Sequence, residues 1–461
     1  MTMTAHNFDP SILREYDIRG IVGETLFESD ATAIGRAFGT FLTQIGRSNI
    51  AVGYDGRETS PPMKNALIKG LTSTGIDVFD IGMGPTPMLY YATYELNAGG
   101  GIMITGSHNP PSHNGFKMML DGKSFYGAQI QELGALCAKG DFATGSGQSI
   151  NSPLMAKYVQ RLLKDFTAGR DLSVVWDCGN GATGEVLRKV VSQLPGRHLL
   201  LYEEIDGTFP NHHPDPTVEE NLQDLIRTVK GVDADLGIAF DGDGDRIGVV
   251  DGLGRILWGD QLLAVLAQEV LATRPGAAII ADVKASQILF DAVEKLGGTP
   301  MMWKTGHSLI KSKMQEVKAP LAGEMSGHIF YNDHYYGFDD ALYVALRLLN
   351  ILGATETSLE TMRDQLPKMI NTPELRFDCP DDEKFDAVTR IQADLAAAGA
   401  NFSDIDGVRV NTEDGWWLLR ASNTQAVLVA RCEASDEAGL TRLKAQLQAS
   451  LKNANVAAPD F

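Results

Sequence analysis

One pattern occurs three times along this chain and constrains its fold more than any other feature of the sequence. In each copy an apolar strand ends in an aspartate, a glycine-rich or polar loop follows, and an amphipathic helix leads to a second apolar strand. The first strands lie at residues 50–55, 174–177 and 279–282, and the second strands at residues 77–82, 198–202 and 300–303. Strands that alternate with helices predict βαβ units, in parallel or mixed sheets covered by helices.

The strand-terminal aspartates, Asp55, Asp177 and Asp282, are 122 and 105 residues apart, which is the size of a domain and not of a solenoid repeat. Near the C-terminus the order changes to four strand-like segments with hairpin-type connections and a closing helix. Pro367 and Pro373 bracket an expected linker before this region. The sequence therefore predicts three similar mixed α/β domains followed by a smaller C-terminal α+β domain.

The charge balance limits the partners that this chain can have. Its 461 residues include 40 Lys and Arg against 59 Asp and Glu, a formal net charge of −19. Such a surface repels nucleic acid and anionic membranes, so we expect neither as a partner. An anionic small molecule can still bind where basic side chains converge. The four dispersed cysteines and the lack of a long apolar run favour a cytoplasmic protein without a disulfide framework.

The first candidate site is Thr105-Gly-Ser-His-Asn-Pro110, directly after an apolar strand. Its Ser107 hydroxyl, next to His108, could serve as a nucleophile or as a carrier of a phosphoryl group. The segment is not the G-x-S-x-G turn of hydrolases, because Thr105 and Asn109 occupy the two glycine positions. These residue types are equally those of an ordinary turn, so both interpretations stay open.

The second candidate site is Asp241-Gly-Asp-Gly-Asp-Arg246, after another apolar strand. Three carboxylates within five residues repel one another unless a cation neutralises them, and the glycines let the backbone bend until Asp241, Asp243 and Asp245 converge. Carboxylate oxygens favour hard ions such as Mg²⁺ or Ca²⁺. A calcium EF-hand does not fit, because its sixth position would be Arg246 and its twelfth Gly252. A solvated acidic turn is the alternative.

The third candidate site is Gly323-Glu-Met-Ser-Gly-His328. In an extended segment, Glu324, Ser326 and His328 alternate and share one face. A carboxylate and a hydroxyl suit sugar hydroxyls, and histidine transfers protons near neutral pH. A purely structural cluster is an equal alternative.

The fourth candidate site is Arg420-Ala-Ser-Asn-Thr424, which follows a strand with two tryptophans. An arginine, two hydroxyls, an amide and the N–H groups of a turn form a nest for an anion. An acidic protein that binds an anion would place its few positive charges in such a nest. A polar hairpin turn is the alternative.

All four segments, in this order and at these spacings, resemble those of the α-D-phosphohexomutase superfamily. Within it they are most similar to the bacterial phosphomannomutase/phosphoglucomutase family. The likeness extends over essentially the whole chain, including Arg14-Glu-Tyr-Asp-Ile-Arg-Gly20. The sequences of the third and fourth segments favour the hexose enzymes over the related phosphoglucosamine mutases.

The resemblance implies four domains around a central cleft. The expected domains are residues 1–152 with the phosphoserine, 153–255 with the metal site, 256–367 with the sugar site and 368–461 with the phosphate site.

The implied protein is an enzyme, an intramolecular phosphotransferase that reversibly converts the 1-phosphates of mannose and glucose to their 6-phosphates. Ser107 would carry the phosphoryl group, and hexose 1,6-bisphosphate would be both intermediate and activator. The implied cofactor is Mg²⁺, bound by Ser107, Asp241, Asp243 and Asp245. The implied partners are phosphosugars, and the implied assembly is a monomer.

Residue by residue, the resemblance implies a catalytic group and a substrate-binding group. The catalytic group is Ser107, His108, Lys117, Arg19 and His328. The substrate-binding group is Tyr16, Arg246, Lys284, His307, Glu324, Ser326, His328, Arg420, Ser422, Asn423 and Thr424. The general base stays open, and a lysine in that role would need a pKa well below its usual value of about 10.4.

Three alternatives remain at this point. The first is a phosphoglucosamine mutase-like specificity on the same fold. The second is a metal-dependent phosphatase that loses its phosphoryl group to water, against which Ser107 and a second phosphate nest argue. The third is a calcium-binding or sugar-binding scaffold without catalysis.

Overall fold

The protein is described by a computed structural model that covers residues 4–167, 169–423, 425–457 and 461. Within these residues the strands form four sheets in chain order, of seven, five, four and six strands. The first three sheets combine parallel and antiparallel pairs, and the fourth is antiparallel. The prediction of three mixed α/β domains and a C-terminal α+β domain is confirmed.

The first domain carries a sheet of order β1-β5-β4-β2-β3-β7, with β6 beside β5. Its elements are a 3-10 helix (Pro10–Ile12), β1 (Ile18–Ile21), α1 (Glu28–Gln44), β2 (Asn49–Tyr54), α2 (Ser60–Thr72), β3 (Asp77–Met83), α3 (Thr86–Glu95), β4 (Gly100–Ile104), β5 (His113–Leu120), β6 (Lys123–Ser124), α4 (Ala128–Lys139) and β7 (Ser149–Asn151).

The second domain carries a sheet of order β12-β11-β10-β8-β9. Its elements are α5 (Met155–Leu163), β8 (Leu172–Asp177), α6 (Gly184–Val191), β9 (Gly196–Leu201), a 3-10 helix (Glu219–Leu222), α7 (Gln223–Val232), β10 (Leu236–Phe240), β11 (Ile247–Asp251) and β12 (Ile256–Leu257). The short strand β12 pairs with β11 in antiparallel fashion at the edge of this sheet.

The third domain carries a sheet of order β14-β13-β15-β16. Its elements are α8 (Gly259–Thr273), β13 (Ala278–Asp282), α9 (Gln287–Lys295), β14 (Thr299–Trp303), α10 (His307–Val317), β15 (Leu321–Gly323), β16 (Ile329–Tyr331), α11 (Ala341–Gly353) and α12 (Leu359–Asp364).

The fourth domain carries a sheet of order β17-β22-β21-β20-β19, with β18 beside β22. Its elements are β17 (Ile370–Asn371), β18 (Leu375–Asp378), α13 (Lys384–Ala397), β19 (Phe402–Ser403), β20 (Val408–Thr412), β21 (Gly415–Ala421), β22 (Val427–Ala434) and α14 (Glu437–Asn453). The four strand-like segments and the closing helix are confirmed. Strand β17 lies inside the expected linker, so the second half of that linker is part of this sheet.

The three repeats form the βαβ units that their sequences predict, since β2 pairs with β3, β8 with β9 and β13 with β14, each in parallel. Their terminal aspartates are buried and accept backbone N–H groups. Asp55 accepts from Arg57 and Asp177 from Gly179, whereas Asp282 accepts from the distant Met325. Each aspartate therefore stabilises a loop at the carboxyl end of its sheet, where parallel strands place functional residues.

The first three domains share an apolar core, which includes Tyr91, Trp176 and Tyr343. The fourth domain has a core of its own around Trp417 and Leu443. All four cysteines are buried and free. Among the described residues, no helix combines the length and the apolar character needed to cross a bilayer.

The pair of His212 and Asp177 should make stability depend on pH. The two side chains lie 3.0 Å apart, from Nε2 to Oδ2. Burial alone would lower the pKa of His212, but Asp177 raises it above the usual value. A group whose pKa is raised by folding contributes its full stabilisation at pH values below its unfolded-state pKa. This contribution is lost as the pH rises through the folded-state pKa.

We therefore expect His212→Gln to lower the free energy of unfolding by about 1–2 kcal/mol near pH 6 and by less near pH 9, as measured by urea denaturation. His213→Gln is the matched control, because that ring has no hydrogen bond or ion pair within the described residues. An equal loss at both pH values would contradict the prediction.

Candidate active site

A cavity of about 890 Å³ lies where the four domains meet, with lining residues from each of them. The predicted residues that line it are Tyr16, Arg19, Ser107, His108, Lys117, Arg246, Lys284, His307, Glu324, Ser326, His328, Arg420, Ser422 and Asn423. Thr424 lies outside the described residues. The three aspartates of the second segment are fully buried next to this cavity.

The Ser107 loop joins the antiparallel strands β4 and β5, and its hydroxyl faces the acidic loop of the second domain. Ser107 Oγ lies 3.1 Å from Asp241 Oδ2 and 3.2 Å from His108 Nδ1. The backbone of Ser107 is left-handed, with φ 49°, a conformation that non-glycine residues adopt only at a cost. Burial and the charge of Arg246 lower the pKa of His108, so its neutral imidazole is favoured beside the hydroxyl.

The acidic loop between β10 and β11 brings its three carboxylates together. One oxygen each of Asp241, Asp243 and Asp245 lies within 4.8 Å of the others. Oδ1 of Asp243 and Oδ1 of Asp245 are buried and accept no hydrogen bond from the described residues. Buried carboxylate oxygens without donors are the ligands that a hard divalent cation prefers, so the site fits a metal ion.

Lys117 is a counter-ion to these carboxylates. Its Nζ lies 2.7 Å from Asp243 Oδ2 and also contacts Asp245. Burial alone would lower the pKa of Lys117, but the three aspartates raise it above the usual value. The lowered pKa that a lysine base requires is therefore not found in this arrangement. Burial and the neighbouring carboxylates raise the pKa of Asp241, because both disfavour its charged form.

His328 lies at the junction of the second and third domains. Its Nε2 accepts a hydrogen bond from Arg246 Nε at 2.9 Å, and its Nδ1 lies 3.0 Å from Asp339 Oδ2. The ring stacks on His307 with 5.3 Å between centroids. Burial lowers the pKa of His307, which favours the neutral form of that ring.

The third segment differs from its expected extended form. Residues 324–327 make a turn in which Gly327 N–H donates to Glu324 O at 3.0 Å, because the chain must reverse between β15 and the antiparallel β16. Gly327 has φ 88°, and a Cβ there would lie 2.5 Å from the carbonyl oxygen of Ile247. The turn still leaves Glu324, Ser326 and His328 on the cavity wall.

The loop between β21 and β22 forms the wall contributed by the fourth domain. Arg420 Nε donates to Asp406 at 2.9 Å. Asn423 Nδ2 donates to the Tyr16 hydroxyl at 2.7 Å, and that hydroxyl donates to Thr305 O at 2.8 Å. These contacts connect the predicted anion nest to the first and third domains.

The sequence did not identify several other residues at the site. Asp17 pairs with Arg19, Asp339 contacts His328, and Glu374 lies 3.2 Å from Lys284 Nζ. Arg431 lines the cavity and donates to Lys284 O. Arg431 could have been identified from the sequence, because it is a charged residue within the apolar strand β22. Asp339 belongs to no sequence pattern that marks it as a site residue.

A serine beside three convergent carboxylates, in a cavity lined by basic residues, is typical of enzymes that transfer phosphoryl groups through a bound metal. Four models for phosphoglucomutase/phosphomannomutase match the chain. They are α/β/α domain I over residues 10–144, domain II over 156–254, domain III over 258–370 and the C-terminal domain over 374–450. The chain belongs to the phosphoglucomutase/phosphomannomutase family of enzymes. Because this family consists of enzymes, the alternative of a calcium-binding or sugar-binding scaffold without catalysis is excluded.

Curated relatives cover nearly the whole chain. A phosphomannomutase/phosphoglucomutase of Pseudomonas aeruginosa is 45% identical over 458 residues, 99% of each chain. A phosphoglucomutase of Neisseria gonorrhoeae is 43% identical and covers 96% of this chain and 97% of its own. A phosphoglucomutase/phosphomannomutase family protein of Burkholderia thailandensis has a crystal structure with a TM-score of 0.93, at 43% identity, covering 98% of this chain and 100% of its own.

Removal of one buried carboxylate should weaken cation binding. We expect Asp243→Asn to reduce the affinity for Mn²⁺ by about 10-fold or more, measured by electron paramagnetic resonance of the free ion. Asp233→Asn is the matched control, since Asp233 is an exposed residue at the end of α7. Equal affinities in the two variants would exclude the acidic loop as the cation site.

Proposed function

We propose that the protein reversibly interconverts the 1-phosphates and 6-phosphates of glucose and mannose. In this proposal Ser107 is the phosphoryl carrier, and a hexose 1,6-bisphosphate is both the intermediate and the activator. The observation that carries it is the 3.1 Å distance from Ser107 Oγ to Asp241, between two domains and at the wall of the shared cavity. The monomer implied by the resemblance remains part of the proposal.

The chemistry at Ser107 is transfer in both directions. The phosphorus–Oγ bond breaks as a bond forms to a sugar hydroxyl oxygen, which loses its proton. In the return step the bond between the other phosphorus and its sugar oxygen breaks, the phosphorus–Oγ bond forms again, and the sugar oxygen takes up a proton. The acidic loop and Ser107 would hold Mg²⁺, and the ion would supply positive charge to the phosphoryl group and to the leaving serine oxygen. Arg19 and Lys117 add positive charge next to the same group. Positioning and charge compensation then account for most of the catalysis.

The attacking hydroxyl must lose a proton, and His328 is the best supported acceptor. Lys117 Nζ is already held as a counter-ion to Asp243 and Asp245, so it is less suited to this role. His328 presents Nε2 to Arg246, while Asp339 lies against Nδ1. When Arg246 turns to a substrate phosphate, Nε2 becomes free for the proton.

The bisphosphate must be accepted in two orientations, so one nest has to hold whichever phosphate is not reacting. Arg420, Ser422 and Asn423 suit this role, and Thr424 is proposed with them on its sequence position alone. Glu324 and Ser326 suit the 3- and 4-hydroxyls of the sugar. Glucose and mannose share these two hydroxyls, so both sugars should be substrates.

Phosphorus NMR of the purified protein tests the proposal. The reaction contains Mg²⁺, a trace of hexose 1,6-bisphosphate and, in parallel, the 1-phosphates of mannose, glucose and glucosamine. We expect a 6-phosphate signal with mannose and glucose that Ser107→Ala reduces by at least about 10³-fold. Ser192→Ala, at an exposed serine, is the matched control.

Each other outcome has a distinct meaning. Release of inorganic phosphate alone would indicate the phosphatase, and conversion of the aminosugar alone would indicate phosphoglucosamine specificity. Full activity of Ser107→Ala would exclude Ser107 as the carrier.

Substitution of Glu324 tests how the sugar is bound. Glu324 lies at the cavity wall and accepts a hydrogen bond from Gly306 N–H at 2.6 Å. Because the two sugars share the hydroxyls assigned to it, Glu324→Gln should lower kcat/KM for both by a similar factor of about 10–100. The exposed Glu316→Gln on α10 is the control. A loss confined to one sugar would show that Glu324 distinguishes the C2 hydroxyl.

A further inference from the structure

Arg57 is a buried arginine that donates hydrogen bonds to backbone carbonyls of the Ser107 loop without lining the cavity. Its relative exposure is 2%, and it does not line the cavity. Nη2 donates to the carbonyl oxygens of Ser107 at 2.9 Å and Asn109 at 2.6 Å. Nη1 donates to those of Pro110 at 2.6 Å and His113 at 3.1 Å. One guanidinium thus holds three carbonyls of the loop that carries the hydroxyl and a fourth, that of His113, at the start of β5.

Asp55, the strand-terminal aspartate of the first repeat, orients this guanidinium. Its Oδ2 accepts from Arg57 Nε at 3.2 Å and from Gly106 N–H at 3.1 Å. Its Oδ1 accepts from Arg57 N–H at 3.1 Å and from Ser60 Oγ at 2.6 Å. The carboxylate therefore joins the end of β2 to the arginine and to the residue before Ser107.

These contacts fix the backbone on both sides of Ser107. The amide of Ser107 donates to Thr105 Oγ1 at 2.8 Å, and its carbonyl oxygen accepts from Arg57. With the two flanking peptide groups held, φ and ψ of Ser107 are held as well, at the left-handed value of 49°. A serine left free would relax toward commoner angles and turn its hydroxyl away from Asp241.

We propose that Arg57 is a positioning residue for phosphoryl transfer, which holds Ser107 in the conformation that directs Oγ to the acidic loop. The inference rests on the proposed role of Ser107 as phosphoryl carrier. Arg57 does not itself contact the substrate cavity. Its loss should therefore slow transfer to and from Ser107 and leave substrate binding nearly unchanged.

Arg57→Lys separates geometry from charge, because lysine keeps the positive charge and cannot reach four carbonyls with one nitrogen. The full-length protein is mixed with Mg²⁺ and glucose 1,6-bisphosphate, and phosphorylation of Ser107 is followed by intact-protein mass spectrometry. We expect Arg57→Lys to slow phosphorylation and to lower kcat by about 100-fold, with KM within about 3-fold of wild type. Arg347→Lys is the matched control, since Arg347 is a buried arginine paired with Glu269 and Asp333.

Gly106→Ala provides a second test, in which the residue at position 57 remains arginine. A Cβ at residue 106 would lie 2.5 Å from Cζ and Nε of Arg57 and 2.8 Å from the carbonyl oxygen of His113, which Arg57 also binds. It should therefore displace the guanidinium from these carbonyls and give the same loss of kcat. Gly231→Ala on α7 is the control, because a Cβ there has open space around it.

Guanidinium ion added to Arg57→Ala at non-denaturing concentration should restore part of the phosphorylation rate.

The outcomes separate the two proposals. If wild type gains no phosphoryl group, the proposed function fails. If wild type is phosphorylated and both Arg57→Lys and Gly106→Ala react at its rate, the positioning role is overturned. It is also overturned if Arg347→Lys slows phosphorylation equally, or if KM rises in proportion to the loss of kcat. Should Arg57→Lys not fold, Gly106→Ala decides by the same criteria.

Discussion

The rest of the structure depends on the burial of three carboxylates in one loop. An uncompensated buried charge costs several kcal/mol, so each domain that packs there must contribute a compensating group. The first domain supplies Lys117 and the Thr86 hydroxyl, which donate to Asp243 Oδ2 at 2.7 and 2.5 Å. The Thr86 N–H also donates to the backbone oxygen of Asp243 at 2.8 Å. The third domain contacts the same loop through Ala341 N–H, which donates to the backbone oxygen of Gly244 at 3.3 Å, and through His328, whose Nδ1 lies 3.5 Å from Asp245 Oδ1. The acidic loop therefore constrains how three domains meet.

The contacts between the domains are of two kinds. The first three domains share an apolar core, so the residues around the acidic loop rest on one continuous packed unit. The fourth domain contacts the third through buried arginines. Arg409 donates to the carbonyls of Val283 and Ala285, and Arg431 donates to that of Lys284. These polar contacts to residues 283–285 hold the fourth domain, with its anion nest, against the cavity. They also hold the backbone of Lys284, which lines the cavity.

Local patterns predicted much of the fold and of the site. Each repeat forms the parallel strand pair that its sequence predicts. The serine loop and the acidic loop each begin at the end of a buried strand, as predicted. The extended form expected for Glu324 to His328 was wrong, because the antiparallel return to β16 requires a turn. Asp339 and Arg57 were missed because their roles come from partners far away in the chain. Arg57 acts on carbonyls about fifty residues later, and such contacts leave no local pattern.

The sequence by itself determined the repeats, the order of the domains and the four chemical segments, because strand periodicity and residue spacing act over short stretches of chain. Only the tertiary structure decided that Ser107 faces Asp241 from another domain and that Lys117 is a counter-ion with a raised pKa. It also decided that Tyr16 joins Asn423 across 407 residues. These features depend on burial and on distances between remote residues, which are set only when the domains pack together.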